Sequence, residues 1–373
     1  MRETEVLPWY SISNIDAIDT PALIVFPERV KQNIQLLTSM VSGVEWLRPH
    51  VKTHKMAEVS ELLLEAGITK FKCATIAEAE MLGQAGAPDV LLAYQPVGPK
   101  IERLLQLVQK YPNTAFSCIV DNLPIAQSIA ATFAEENLTL PIFLDLNVGM
   151  NRTGIVPGPE AMALYRACYE LKGIKPVGLH AYDGHLRDPD LNLRKTTCDA
   201  AFAPVSALAD EIAAAGYPAP IMVAGGSPTF PIHAQRPGVE CSPGTFVFWD
   251  YGYSSVLTEQ PFQFAAVVVT RVISKIDAQT LCLDLGHKAI AAENPLPRVI
   301  FLNAPDAQPI SQSEEHLVVK VKPESSYLVG DVVYGIPVHI CPTCALYDKA
   351  YVAEENTIQT SWAVVSRNRF ISV

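Results

Sequence analysis

No apolar run in this 373-residue chain reaches the length needed to cross a membrane. Its opening, MRETEVLPWYSISNID, has no long apolar core of the signal-peptide kind, so a cytoplasmic protein is expected. Positive charge is scarce: 28 Lys and Arg stand against 39 Asp and Glu, a net charge of -11. That balance disfavours nucleic acid or an anionic membrane as a partner and leaves room for a local basic pocket. The eight cysteines show no disulfide-scaffold spacing, which points to reduced thiols. No GxGxxG follows an early strand-like run, which argues against a dinucleotide-binding sheet. Low-complexity linkers and internal repeats are absent as well, excluding a solenoid or domains on a long flexible tether.

The composition, 49% hydrophobic and 18% charged, is that of a compact globular protein too long for one modest domain. Apolar, β-rich runs lie near 45–51, 70–75, 89–95, 115–120, 141–147, 176–182, 220–225 and 239–249. Amphipathic helical stretches separate them, among them IAEAEMLGQAGA, KIERLLQLVQKYP and DLNLRKTTCDAAFAPVSALADEIAAAG. Eight strands alternating with helices predict an α/β fold, a (β/α)8 TIM barrel over residues 27–250. After Trp249-Asp250 the helical pattern stops, and TLCLDLG, HLVVKV and DVVYGIPVHICP read as strands. Residues 251–373 are therefore expected to form a β domain, joined by the strand-like TPALIVF from the opening residues 1–26.

The densest chemistry lies in RPHVKTHK, Arg48 to Lys55, at the junction of the first strand-like run with a helical one. A lysine becomes a nucleophile only after losing its proton, and its ordinary pKa is about 10.4. Desolvation or cationic neighbours must lower that value. Strand alternation puts Arg48, His50, Lys52 and His54 on one face and Pro49, Val51, Thr53 and Lys55 on the other. Lys52 shares its face with the other cations and is the candidate for an imine; Lys55 falls where the next helix starts.

Catalytic groups in such a barrel gather at the C-terminal strand ends. Those ends carry Thr75, Gln95, Asn147 to Arg152, Tyr182 to His185, Gly225 to Thr229, and Gly244 with Thr245. AGGSPTFP and SPGTF supply closely spaced amides and hydroxyls on the last two strands, where barrels bind phosphate. Arg152 in NVGMNRTG is either a bidentate ligand for an anionic oxygen or a surface arginine at a helix start. His185, behind Tyr182 and Asp183, is either a proton carrier or a satisfied structural histidine. Near the C-terminus, His339 and Cys341 lie two apart on a predicted strand and so share a face, as a two-ligand metal site requires. A thiolate ligand favours zinc. Cys344, which completes a lone CxxC, is open between third ligand, packing thiol and bystander.

With these motifs in order, the chain resembles the D-threonine aldolase and D-serine dehydratase group of fold type III pyridoxal-phosphate enzymes, relatives of alanine racemase. RPHVKTHK is similar to the group's cofactor-lysine motif, NVGMNRTG to its arginine motif, SPGTFVFWD to its late phosphate-contacting strand and PVHICPT to its His-x-Cys metal pair. The resemblance implies an alanine-racemase-like barrel with a β domain, usually a homodimer, acting on a D-amino acid. It implies Lys52 as the imine lysine and Arg152 near the phenolic oxygen. Gly226, Ser227, Gly244 and Thr245 would then bind phosphate, Tyr182 and His185 would line the substrate side, and His339 and Cys341 would hold zinc or manganese. Ser242 departs from the pattern, because many relatives carry an arginine there beside the pyridine nitrogen. The activity implied is retro-aldol cleavage of a D-3-hydroxy amino acid. Elimination to a 2-oxo acid and ammonia is the alternative, with a racemase or a non-catalytic cofactor carrier behind both.

Overall fold

The computed structural model describes residues 7–373. Its first part alternates strand and helix. In chain order come β1 (Ala22–Val25), α1 (Pro27–Ser39), α2 (Ala57–Glu65), β2 (Lys70–Cys73), α3 (Ile76–Gln84), β3 (Asp89–Leu92), α4 (Pro99–Lys110) and β4 (Ala115–Val120). There follow α5 (Leu123–Glu135), β5 (Leu140–Leu146), α6 (Pro159–Tyr169), β6 (Ile174–Ala181), α7 (Leu191–Ala214), β7 (Ile221–Ala224), α8 (Phe230–His233) and β8 (Val239–Cys241). Strands β2 to β8 form one parallel sheet in sequence order. Each strand is buried on both sides, which is why the runs read as continuously apolar. In β3, for example, Val90 and Leu92 face the helices, while Leu91 joins Ile119, Phe143 and Val223 in a separate cluster filling the barrel interior.

Two of the eight expected barrel strands depart most from their apolar runs. The run at 239–249 keeps only β8, because Pro243 and Gly244 end the ladder and a 3-10 turn, Thr245–Val247, follows. The run at 45–51 begins with a 3-10 turn, Val44–Trp46, and contributes only isolated bridges from Leu47 to Cys241 and from His50 to Lys72. Those bridges close the barrel. The Arg48 and His50 amides donate to the carbonyls of Cys241 (2.8 Å) and Pro243 (2.9 Å) on one side. On the other, Lys72 donates to the Pro49 carbonyl (2.9 Å) and Val51 donates to that of Lys72 (3.0 Å). Both prolines stand where the ladder uses only their carbonyls.

The second sheet has nine strands. After α9 (Tyr251–Val256) come β9 (Ala266–Asp277), β10 (Thr280–Leu283), β11 (Val299–Phe301), β12 (Gln308–Gln312), β13 (Leu317–Lys320) and β14 (Val332–Pro337). The short helix α10 (Ile340–Cys344) precedes β15 (Lys349–Glu354) and β16 (Thr357–Ala363). Strand β1 lies between β9 and β15, so the opening of the chain is built into the late sheet before α1 enters the barrel. Asn33 of α1 ties the parts together, donating to the Gln263 carbonyl and accepting from its amide, both at 2.8 Å.

Arg48 is 1% exposed and is neutralised low in the barrel by Asp89 (2.6 Å) and by Glu240 (2.7 Å), which Lys70 also meets. Its role is structural rather than that of a cation beside Lys52. Removing one partner of a buried pair strands the other. Arg48→Met is therefore expected to cost about 3 kcal/mol in urea unfolding, and adding Glu240→Leu should recover most of it. A loss below about 1 kcal/mol would mean that the pair is effectively solvated.

Candidate active site

At the C-terminal mouth of the barrel lies a cavity of about 530 Å³, lined by His50, Lys52, Lys72, Tyr94, Gln95, Asp121, Asp145, Arg152, His180 and Tyr182 among others. Lys52 is there, exposed to the opening. The alternation expected through His54 stops after His50, because Val51 to His54 is a turn. His54 consequently turns inward, its Nδ1 on the Met56 backbone, and burial pushes its pKa down to about 3. It cannot serve as a cation beside Lys52. Thr53 is buried as well, and Lys55, at positive φ (57°), pairs with the buried Glu78.

Lys72, Asp145 and His180 are buried polar groups of the cavity that no sequence motif marks. Lys72 is fixed on β2 with its Nζ 5.5 Å from the Tyr182 ring centroid. Burial, and then the charge of Lys52, lower its pKa to about 7. Asp145 of β5 and His180 of β6 form a pair, His180 Nδ1 to Asp145 Oδ1 at 2.7 Å. Burial alone would raise the Asp145 carboxyl, but hydrogen bonds from His180 and Thr153 and the charge of Arg152 hold it low. His180 Nε2 is buried and has no hydrogen-bond partner among the described residues. Strand alternation back from Tyr182 would have found His180, and a lysine inside the apolar KFKC run was the signal for Lys72.

Arg152 lies over the other sequence-predicted group, its Cζ 5.1 Å from the Tyr182 ring centroid. Beside that ring the last two strands form a cradle. The amides of Gly244 (3.4 Å) and Thr245 (3.3 Å) converge on Ser227 Oγ, where backbone donors can meet an anion. A Cβ on Gly244 would meet the His50 carbonyl at 2.7 Å, so that position needs glycine, and one on Gly226 would meet the Tyr182 ring at 3.0 Å, so that ring would have to give way. Ser242 Oγ is buried and unpartnered among the described residues. His185 lies outside the cavity lining: it is exposed at the rim, and a Cβ on Gly149 would come within 3.0 Å of its Nε2.

The metal-type pair is held differently from the strand expected. Strand β14 ends at Pro337, and His339 instead precedes the first turn of α10. The His339 side chain still reaches the Cys341 thiol, because the turn brings them together. Burial would raise Cys341, but the hydrogen bond and charge of His339, with the charge of Lys52, pull it down toward the thiolate. His339 also meets Glu293, while Cys341 Sγ lies 3.0 Å from Thr53 Oγ1 and 3.6 Å from Thr245 Oγ1. A thiolate beside an imidazole is a fitting donor set for a soft divalent ion. Cys344 is fully buried in the apolar core, and burial holds its thiol well up.

A second cluster, Asp183, Cys198 and His233, also has metal-ligand residue types. Arg236 donates to His233 Nδ1 (2.9 Å), leaving Nε2–H to donate to Asp183 (2.8 Å). With a guanidinium against the ring and Thr229 donating to the same carboxylate (2.6 Å), this is a hydrogen-bond network supporting the glycine loop.

The comparisons with known proteins give the family. Residues 26–252 match the family described as alanine racemase, N-terminal domain. The chain belongs to that family. A serine dehydratase domain matches residues 265–353. The chain is 26% identical over 360 residues to D-threonine aldolase of Arthrobacter sp, covering 94% of this chain and 93% of that one. It is 28% identical over 366 residues to 3-hydroxy-D-aspartate aldolase of Paracoccus denitrificans, with the same coverage. D-threo-3-hydroxyaspartate dehydratase of Delftia sp. is 26% identical over 288 residues, 75% of each chain. The crystal structure of D-threonine aldolase from Filomicrobium marinum superposes with a TM-score of 0.88 at 24% identity, covering 96% of this chain and 98% of the other.

Cys341→Ser is expected to lower zinc affinity by more than about tenfold, read by competition with a fluorescent chelator, because a hydroxyl replaces the soft donor. Cys344→Ser should leave zinc affinity unchanged. Equal loss in both variants would make Cys344 a ligand.

Proposed function

We propose that this protein is a pyridoxal-phosphate- and metal-dependent lyase that cleaves D-3-hydroxy amino acids to glycine and an aldehyde. One observation carries the reading: Cys341 Sγ touches both Thr53 of the lysine turn and Thr245 of the phosphate-type cradle. A soft-metal pair is thereby joined to an amine and an anion site. The aldolases among the relatives support the choice of reaction.

When bound, pyridoxal phosphate supplies the electron sink for the pair released at Cα. Lys52 is the amine that holds the cofactor's aldehyde carbon. Arg152 would bind its phenolic oxygen, and Tyr182 would offer a ring to the pyridine. Gly226, Ser227, Gly244 and Thr245 hold the phosphate with amides and hydroxyls. The Ser242 hydroxyl, unpartnered among the described residues, would be available to the ring nitrogen, and being neutral it would not impose a protonation state on it. His339 and Cys341 would hold a zinc or manganese ion, whose Lewis acidity would act on the substrate's 3-hydroxyl. His185, exposed and outside the cavity lining, is the proposed acceptor of that hydroxyl's proton. Ile119 and Ala93 give the cavity an apolar wall, which would limit water around a bound substrate.

The dehydratase among the relatives supports a second reading with the same site, elimination to a 2-oxo acid and ammonia. We also propose a homodimer, supported by the exposed Ile310, Leu328 and Val329 on the β domain. A cytoplasmic setting is supported by eight free cysteines.

The test is a product assay of the cofactor-loaded protein with D-threonine. Glycine and acetaldehyde are expected, and both should disappear with a chelator. 2-Oxobutyrate and ammonia would move the protein to the dehydratase reading. Lys52→Ala should abolish the cofactor's covalent absorbance, whereas Lys55→Ala should keep it while losing stability, because it strands the buried Glu78. The reverse pattern would overturn the lysine assignment.

A further inference from the structure

Lys72 is a buried base that the reading above leaves without a task. It is 1% exposed, yet it lines the catalytic cavity. Arg48, Lys55 and Lys70 each have a carboxylate partner; among the described residues Lys72 has none at ion-pair distance. Its backbone is fixed to the lysine segment at both ends, to Pro49 at 2.9 Å and to Val51 at 3.0 Å. Lys72 therefore stands across one ladder step from the residue preceding Lys52.

The groups facing it are set by the same packing. Arg48, His50 and Lys52 come from the closing segment and Asp145 from β5. His180, Tyr182 and Asp183 come from the end of β6. From β3 and its extension, Leu91 and Ala93 bring nothing that titrates. Burial first, and then the repulsion of Lys52, leave an amine whose proton affinity is centred at about 7. Lys52 sits at the opening, whereas Lys72 is held on the floor. A desolvated amine of that kind is suited to proton transfer near neutral pH.

We propose that Lys72 is a second working amine of this site, the base that takes the proton from the substrate's ammonium group as it attacks the cofactor's aldehyde carbon. The proposal rests on the reading that Lys52 carries the cofactor. One N–H bond of the ammonium breaks, one N–H bond forms on Lys72 Nζ, and the freed pair on the substrate nitrogen makes the new C–N bond. A second proton then passes from the substrate nitrogen to the Lys52 nitrogen as the bond between Lys52 and the aldehyde carbon breaks. Lys52 leaves as an amine, and nothing is oxidised or reduced. Asp183 and Asp145 offset the charge that Lys72 gains. Product release runs the transfer backwards.

The experiment uses full-length holo-protein, parent and Lys72→Met, mixed with glycine while the cofactor absorbance is followed by stopped flow from about pH 6 to about pH 10. Borohydride reduction and peptide mapping should place the cofactor on Lys52 in both proteins. At neutral pH the variant should combine with glycine about a hundredfold more slowly. Its rate should then climb with pH and approach the parent as glycine's own amine becomes free. Lys72→Arg keeps a buried cation that is no base at these pH values and should show the same profile, which covers the case in which Lys72→Met fails to fold. A loss of equal size at every pH would mean a packing role and would overturn the proposal, as would an unchanged rate. Cofactor mapped to Lys72 would overturn the lysine assignment as well. Absence of covalent cofactor in the parent would sink the functional reading and this proposal together.

Discussion

The rest of the molecule depends on how the barrel closes. Residues Leu47 to Val51 are too irregular to count as a strand, yet they are hydrogen-bonded to β8 on one side and to Lys72 of β2 on the other. This places the turn carrying Lys52 directly over the mouth, beside the Gly244 and Thr245 amides that follow β8. Any shift of the segment would move the lysine and the phosphate-type cradle together. The His50 carbonyl is already so close to Gly244 that a single added carbon would collide with it, at 2.7 Å.

Charge is distributed through the interior according to what each group must do. Low in the barrel, Arg48 is matched by Asp89 and Glu240 and holds the closing segment in place. Above the apolar layer of Leu91, Ile119, Phe143 and Val223, Lys72 has no such match, and Asp145 spends its hydrogen bonds on His180 and Thr153. A matched cation in a barrel is a structural element, whereas an unmatched one opening onto a cavity has its proton affinity set by burial. The same distinction separates the two thiol clusters. Cys341 faces an imidazole and Lys52, so its thiolate is favoured, while Cys198 lies among Asp183, His233 and Arg236, and burial pushes its thiol up to about 12.

The motifs were legible because each needs a particular residue type whatever surrounds it. Gly244 is required by close approach, His339 and Cys341 by metal-donor chemistry, and Lys52 by amine chemistry. Lys72, Asp145 and His180 escaped because each is the penultimate residue of its strand, just before the polar strand-end motifs, where an isolated polar residue in an apolar run does not declare its face. The metal pair was placed on the wrong kind of element for a similar reason. A strand and an extended N-cap residue before a helix can both bring residues two apart into reach, and only the end of β14 at Pro337 separates the cases.

By itself the sequence determined the layered barrel and the appended β domain, through apolar runs alternating with amphipathic ones, and the chemistry of the terminal motifs. Only the tertiary structure decided which cations are neutralised, which side chains share the cavity, and how Cys341 meets the lysine turn. Proton affinity and ligand geometry depend on partners hundreds of residues away, as with Thr53 and Cys341, 288 residues apart in the chain and 3.0 Å apart in space.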